Sequence, residues 1–410
     1  MKEYLLVGAF TIGTYLTAIS MHFIFISGWV LLVSYLLLLG LYRYGWKKLP
    51  KDEFGPPKSF PKISIIIPAR NEELSLPGCL QSIVNQEYPP DCFEILVIDD
   101  HSEDRTVEIA GSFDKTLVLS LSNYTDNTTI SFKKKAINIG IGKAKGDIIF
   151  STDADCLMEK NWLKSIATAF TNNPDTKIIA GPVCLNPVKG NGIFTRMFSA
   201  FQQIDFLMYQ GITGGGIANG MHHLCNGANL AYKKEAFKAI NGFSGNEDRP
   251  SGDDIFLMQK MVTRYPGSAL YLMNQAAIVH TEPAQNIGSF FQQRIRWAGK
   301  SAGYSEKSIL PIMFFVLLVN LEIILTVVVW IFNPKANFSG FLVIYQLLAL
   351  LLIKILAESL LFLPVSRFFK QPKFWYWLPF LQPFHIAYTV STAFLSLWGS
   401  YNWKGRRFKK

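Results

Sequence analysis

The chain is short of charge and short of cysteine. Of its 410 residues only 17% are Asp, Glu, Lys or Arg, while half are apolar. Its cysteines are Cys79, Cys92, Cys156, Cys184 and Cys225, an odd number without a CxxC pair. That argues against a disulfide framework or a zinc site and fits a domain in a reducing, cytoplasmic setting. The missing charge is missing in blocks. Tyr4 to Tyr42 holds no Lys, Arg, Asp or Glu; 309–332 holds only Glu322; 341–363 holds only Lys354 and Glu358; 374–401 holds none. A membrane span needs roughly 20 mostly apolar residues, so each block can cross. A wholly soluble protein is excluded on this reading. A cleaved signal peptide is not expected either, because the first block is too long and has no clear small-residue cleavage site.

What charge there is sits beside these blocks. The net charge is +10, with Arg43, Lys47, Lys48 and Lys51 after the first block and Lys404, Arg406, Arg407, Lys409 and Lys410 closing the chain. Basic residues flanking spans favour the cytoplasmic side and can meet anionic membrane lipids. Nucleic acid is not an expected partner, since the basic runs lie next to spans rather than on the polar domain.

The expected organisation is an N-terminal transmembrane segment at 1–45, a Pro- and Gly-containing linker at 46–60, a polar domain at 61–304, a second transmembrane region at 305–402 and a basic tail at 403–410. The first segment holds one or two spans, with a turn near Ser20-Met21-His22 favoured. The second region holds two or three. A third crossing there would leave the basic tail outside, against the positive-inside tendency, and Pro379 and Pro383 point to a broken or partly re-entrant segment. Lys354 and Glu358, one helical turn apart, are expected to pair with each other at the interface.

Within the polar domain, strand and helix patterns alternate. Strands are predicted at Lys62–Pro68, Phe93–Asp100, Thr116–Ser120 and Asp147–Ser151. Helices are predicted at Leu76–Gln86, Ser102–Gly111 with Ser102 as N-cap, and Lys134–Ala144. Such alternation implies an α/β fold, a mostly parallel sheet with helices on both faces, where ligands bind beyond the carboxyl ends of the strands. Two predicted strands end in acids, Asp99-Asp100 and Asp153-Ala-Asp155. In extended backbone, residues two apart face the same side. Asp153 and Asp155 therefore converge and call for a positive group between them, a divalent cation or a basic side chain.

Five motifs stand in order: Pro68-Ala-Arg-Asn-Glu72, Val97-Ile-Asp-Asp-His-Ser-Glu-Asp-Arg-Thr106, Asp153-Ala-Asp155, Ser251-Gly-Asp-Asp-Ile-Phe-Leu-Met258 and Gln293-Arg-Ile-Arg-Trp297. Together, over roughly 62–300, they resemble the membrane-embedded family 2 glycosyltransferases, the branch of cellulose, chitin and hyaluronan synthases and of lipid glycosyltransferases. The resemblance implies a GT-A nucleotide-sugar-binding domain flanked by transmembrane helices, and inverting glycosyl transfer from a nucleotide-sugar donor. It implies that Pro68, Arg70 and Glu72 line the nucleotide pocket and that Asp99 and Asp100 hold base and ribose. Lys133 lies near the donor, although the register within Lys133-Lys134-Lys135 is open. Asp153 and Asp155 become a DxD motif holding Mg²⁺ or Mn²⁺. Asp254 becomes the general base with Asp253 as its acidic neighbour, where the family more often has Glu; the neighbouring charge is expected to raise the base's pKa. Both acids also suit a helix N-terminus. Gln293, Arg296 and Trp297 match QxxRW, which contacts acceptor and diphosphate. Asn229, in Cys225-Asn-Gly-Ala-Asn229, is expected at the donor-sugar pocket. His280 is expected to be structural, with metal ligation the rival reading. Thr213-Gly-Gly-Gly-Ile-Ala-Asn-Gly220 lacks a P-loop Lys-Ser/Thr and is expected to be a mobile loop. The expected acceptor is a lipid, lipid-linked or glycan molecule, with few spans favouring lipid over polymer. A processive polysaccharide synthase and a non-catalytic sugar-nucleotide-binding scaffold or transporter are the alternatives.

Overall fold

The computed structural model describes residues 2–50, 57–124, 131–188, 190, 192–246, 249, 251–300, 303–333, 337–338, 341–398, 401–403 and 406–408. The centre of the expected linker, 51–56, and residues 404, 405, 409 and 410 of the expected basic tail lie outside these.

The polar region builds one seven-stranded sheet. Its strands are β1 (Ile63–Ala69), β2 (Phe93–Asp99), β3 (Thr116–Ser120), β4 (Ile148–Ser151), β6 (Ile178–Ala180), β8 (Leu230–Lys233) and β9 (Ala269–Tyr271), in the order β3-β2-β1-β4-β8-β6-β9. β5 (Leu157–Met158), β7 (Val183–Leu185) and β10 (Val279–Thr281) form a second, small sheet. β3, β2, β1 and β4 are mutually parallel, and β8 is inserted antiparallel between β4 and β6. β1 reads Ile-Ser-Ile-Ile-Ile-Pro-Ala and is buried at almost every position, as a central parallel strand covered on both faces must be. The register pairs Ala69 with Asp99, so the ends of β1 and β2 lie side by side.

The predicted elements fall close to the observed ones. Helices α2 (Leu76–Val84), α3 (Thr106–Gly111) and α4 (Phe132–Lys143) alternate with the strands, followed by α5 (Trp162–Asn172), α6 (Ile193–Ala218), α7 (Lys234–Ala239), α8 (Asp253–Arg264) and α9 (Ile287–Lys300). Ser102 is not a helix cap. Its backbone N–H donates to Asp99 Oδ1 at 3.1 Å, and its hydroxyl accepts from the Asn71 N–H at 3.0 Å. The loop side chains thus take up the groups that would have started the helix, and α3 begins only at Thr106.

Around this domain pack α1 (Lys2–Lys48), α10 (Ile309–Phe332), α11 (Val343–Phe368) and α12 (Leu378–Trp398). Among the described residues, three helical stretches are long and apolar enough to cross a membrane: His22–Lys48, Ile309–Phe332 and Val343–Phe368. The turn expected near Ser20 is not formed. α1 runs through it as one helix, in keeping with the lack of Pro or adjacent Gly breakers there. α12 likewise continues through Pro383.

The glycine-rich segment is also not a loop. Thr213 to Ala218 form the last turns of α6, with Asn219 and Gly220 in the turn that follows, and the missing side chains let two helix backbones touch. A Cβ on Gly215 would stand 2.3 Å from the Tyr42 carbonyl oxygen, and one on Gly45 would stand 2.2 Å from the Gly215 carbonyl oxygen. The α1–α6 contact is thus backbone against backbone, which no other residue type permits. Lys354 and Glu358 do pair, but inside the helix cluster rather than at its surface. Both are buried, with Tyr35 donating to Glu358 at 3.1 Å and Lys354 donating to Gln382 at 2.8 Å.

Candidate functional site

Beyond the carboxyl ends of β1, β2 and β4 lies a cavity of about 500 Å³. Of the site residues singled out from sequence, all but Asp99, Asn229 and His280 line it.

The rim is a pair of laced loops. The loop after β1 requires positive φ at Asn71 (+52°), and the loop after β2 requires it at His101 (+57°). Each loop satisfies the other's backbone. The Glu72 N–H donates to Thr106 Oγ1 at 2.8 Å, and the Glu103 N–H donates to Asn71 Oδ1 at 2.9 Å. Arg70 reaches across to the Asp100 carbonyl at 3.4 Å. Asp100 faces the cavity, and its carboxylate meets His101 Nδ1 at 3.0 Å. Asp99 points into its own loop instead, where it accepts the Ser102 N–H. Of the two acids, only Asp100 is therefore placed to meet a ligand in the cavity.

Four carboxylates and two lysines form the floor. Lys133 settles the lysine register: its ammonium lies 2.7 Å from Asp153 Oδ1 and 3.3 Å from Asp253 Oδ2. Lys134 is turned away and donates to the Asn246 and Arg249 carbonyls at 2.7 and 2.8 Å. Burial disfavours the charge on Lys133, but Asp153 and Asp253 outweigh it and hold its pKa above the usual lysine value. Asp155 accepts from Thr281 Oγ1 at 3.2 Å. Asp153 and Asp155 thus both line the cavity. Among the described residues no three His, Cys, Asp or Glu side chains converge on a metal-sized point. Two hard carboxylate oxygen donors without a closed protein cage fit a Mg²⁺- or Mn²⁺-type ion whose coordination a phosphate ligand completes. His280 is not among the cavity residues. It lies in β10, with Nε2 4.0 Å from Glu159.

Asp253 and Asp254 open α8 behind Gly252, whose φ of +89° sets the entry of the chain. Asp254 accepts from its own neighbour's N–H (Ile255, 2.8 Å) and from the Gly227 N–H at 3.3 Å. Lys300 places its ammonium 3.2 and 3.4 Å from the two Asp254 oxygens. Burial alone would raise the Asp254 pKa, but the Lys300 and Lys133 ammonium groups outweigh it and hold the carboxyl below its usual value. The expectation of a raised base is thus corrected. The nearby cations, which the motif does not include, decide the sign.

Gln293, Arg296 and Trp297 project from α9 into the cavity. Arg294 faces the other way. It is buried, paired with Asp205 of α6 at 2.6 Å and stacked 4.2 Å from the Trp297 ring centroid. Asn229 is spent on structure. Its amide donates to the Pro182 and Ala277 carbonyls at 2.7 and 2.9 Å and accepts from Trp162 Nε1 at 3.3 Å. Asn229 is buried and does not line the cavity. Asn226, three residues earlier, lines the cavity in its place. Lys300, Asn226 and Thr281 are cavity residues that the motifs missed. Lys300 alone carried a signal: it is seven residues after Gln293 and three after Trp297, on the same helical face.

A second chamber of about 390 Å³, mostly apolar, lies between α1, α6, α9, α10 and α12. It shares Phe206, Asn226, Asp254, Trp297 and Lys300 with the first. Asp254 therefore stands where a polar and an apolar space meet.

Residues 64–240 match the family described as Glycosyl transferase family 2. Among relatives of similar sequence is a probable glycosyltransferase, YdaM, of Bacillus subtilis, 26% identical over 66% of this chain and 63% of that protein. Another is the beta-monoglucosyldiacylglycerol synthase of Trichormus variabilis, 32% identical over 60% of this chain and 50% of that one. The chain thus spans less than two thirds of the length of these relatives. The mannosyltransferase PcManGT of Pyrobaculum calidifontis, solved with GDP-Man and Mn²⁺, is similar in fold, with a TM-score of 0.57 at 18% identity over 92% of this chain and 99% of that one. The parallel sheet, the site at its carboxyl edge and these likenesses lead to one assignment: residues 64–240 carry a domain that matches glycosyltransferase family 2, in a chain with a GT-A-like fold.

Proposed function

We propose that this protein is an inverting glycosyltransferase that moves a sugar from a nucleoside-diphosphate donor, a UDP-sugar by preference, to a lipid or lipid-linked acceptor at a membrane. The observation that carries the reading is the position of Asp254, at the boundary of a polar cavity and an apolar chamber. A donor needs the first and a hydrocarbon chain the second; the acceptor hydroxyl then lies at their junction.

On this reading Pro68, Arg70, Glu72 and Asp100 receive the nucleoside, with Asp100 accepting from its hydroxyl or N–H groups. Asp153 and Asp155 would hold Mg²⁺ or Mn²⁺, whose chemistry when bound is charge neutralisation on the leaving nucleoside diphosphate. Arg296 offers a planar fork to phosphate oxygens, and Gln293 offers an amide beside it. Trp297 orients the acceptor by its ring face. Asp254 takes the proton from the acceptor hydroxyl as it attacks the anomeric carbon from the side opposite the diphosphate, and inversion follows from that geometry. Lys133 fixes Asp153 and Asp253, and Asp253 keeps Lys133 in place. The three apolar helices support a membrane location, and the basic residues beside them support a cytoplasmic catalytic domain.

The test is turnover by the full chain in detergent, with Mg²⁺ or Mn²⁺, a panel of UDP- and GDP-sugars, and diacylglycerol or polyprenyl phosphate as acceptors. The expected product is a glycolipid of inverted anomeric configuration that Asp254→Asn does not form. A product too large to be a lipid would replace this reading with polysaccharide synthesis. Nucleotide binding without any transfer would replace it with the binding scaffold.

A further inference from the structure

We propose that Lys300 is a positioning residue that acts through Asp254: its ammonium holds the base carboxylate ionised and aimed at the junction of the two chambers, and so sets the pH at which transfer begins. This rests on the reading of Asp254 as the base.

Nothing in the sequence motifs assigns a role to Lys300. It ends α9, one turn beyond Trp297, and its side chain is as buried as that of its partner (9% and 11% exposed). Its ammonium is nearly equidistant from both Asp254 oxygens, at 3.2 and 3.4 Å. One contact of that kind neutralises charge; two also fix the plane of the carboxylate. The groups around Asp254 are few. α8 contributes Asp253, whose charge opposes ionisation, and α4 contributes Lys133, which is already engaged with Asp153 and Asp253. The loop before β8 contributes Cys225, and the segment after α9 contributes Tyr304; burial, with Asp254 adding, pushes both upward in pKa, so both are neutral. Among the described residues, Lys300 is thus the cation that pairs with Asp254 alone. A buried carboxylate loses stabilisation of its charged form when an opposite charge within hydrogen-bonding distance is removed, a shift of about 1–3 pH units.

A purely structural role, closing the C-terminal end of α9 by helix-dipole attraction, predicts a different outcome, because any cation or even a neutral side chain in a folded protein would leave the Asp254 titration where it is. The experiment is a carboxyl titration by infrared difference spectroscopy on the full chain in detergent, using Asp254→Asn to identify the Asp254 band. In Lys300→Met the midpoint is expected to rise by about one to two pH units, and in Lys300→Arg to stay within about half a unit of wild type. The acid limb of kcat/KM should move by the same amount in the same direction. A midpoint unmoved in a folded Lys300→Met protein overturns the proposal. The reading beneath it is checked separately by the turnover of Asp254→Asn: full activity there removes the base role, whatever the infrared titration gives.

Discussion

Arg294 and Asp205 offer the sharpest stability test. Their ion pair, 2.6 Å between Nη2 and Oδ2, ties α9 to α6 at side-chain exposures of 1% and 5%. Arg294 also lies over the rings of Trp297 and Phe290, at 4.2 and 4.6 Å from their centroids, so it braces the wall between the two chambers. Arg294→Met keeps much of the volume but strands the Asp205 carboxylate in a dry site. The expected cost is about 3–5 kcal/mol, the usual penalty for breaking a buried pair from one side. Asp205→Asn leaves the Arg294 guanidinium uncompensated in its turn and is expected to cost a comparable amount. The double variant Arg294→Met/Asp205→Asn should recover most of the single-variant loss, since no uncompensated charge remains. Unfolding midpoints of the four proteins in one detergent give the coupling energy. Additive losses, with a coupling near zero, would refute the account, because they would mean the two charges do not feel each other.

The remaining predictions concern other parts of the molecule. Asp254→Asn should lower turnover by about 10²–10⁴-fold with nucleotide affinity retained, read by product formation and by nucleotide titration. His222 is fully buried against Tyr42 at 2.8 Å, and burial lowers its pKa to about 4 from the 6.5 of the free side chain. The unfolded chain therefore takes up the proton first, and about 3 kcal/mol of stability should be lost as pH falls from 6.5 towards 4. His222→Gln should flatten that slope in unfolding measured across the range. Glu306 accepts from the His223 N–H at 2.8 Å and meets its Nδ1 at 2.6 Å. Burial opposes its charge, but the His223 contacts prevail and lower its pKa. Its contribution is present above the ordinary Glu value of 4.5 and is lost as pH falls through its lowered folded-state value, so Glu306→Gln should destabilise at pH 7 and progressively less as the solution is acidified. Gly215→Ala should reduce the yield of folded protein or lower the unfolding temperature, because the clash is with a carbonyl oxygen that cannot rotate away.

Much of the sheet was legible because its strands are buried on both faces and read as apolar runs bounded by polar turns. β3 coincides with its predicted limits, and β1, β2 and β4 lie within a residue or so of theirs. The cavity was legible because its acids fall at strand ends. Tertiary choices were not. Asp99 and Asp100 are adjacent in sequence, and only the backbone N–H of Ser102 decides which one turns inward. Asn229 carries the same amide as Asn226, and the orphan carbonyls of Pro182 and Ala277 claim it. The glycines of α6 look like a loop until a second helix backbone stands against them, a partner some 170 positions away that no local pattern reveals. The pKa of Asp254 needed Lys300, 46 residues along the chain.

The contact at Gly45 and Gly215 has a mechanical consequence. Two helices that meet through their backbones have no side-chain cushion to absorb a shift. α6, which carries Asp205 and Phe206 into the chamber walls, must follow α1 wherever it leans. Embedded in a bilayer, α1 tilts to match the thickness around it. On the proposed membrane location and activity, lipid composition becomes a lever: a thinner or thicker membrane would widen or pinch the junction of the two chambers at Asp254 without touching any substrate.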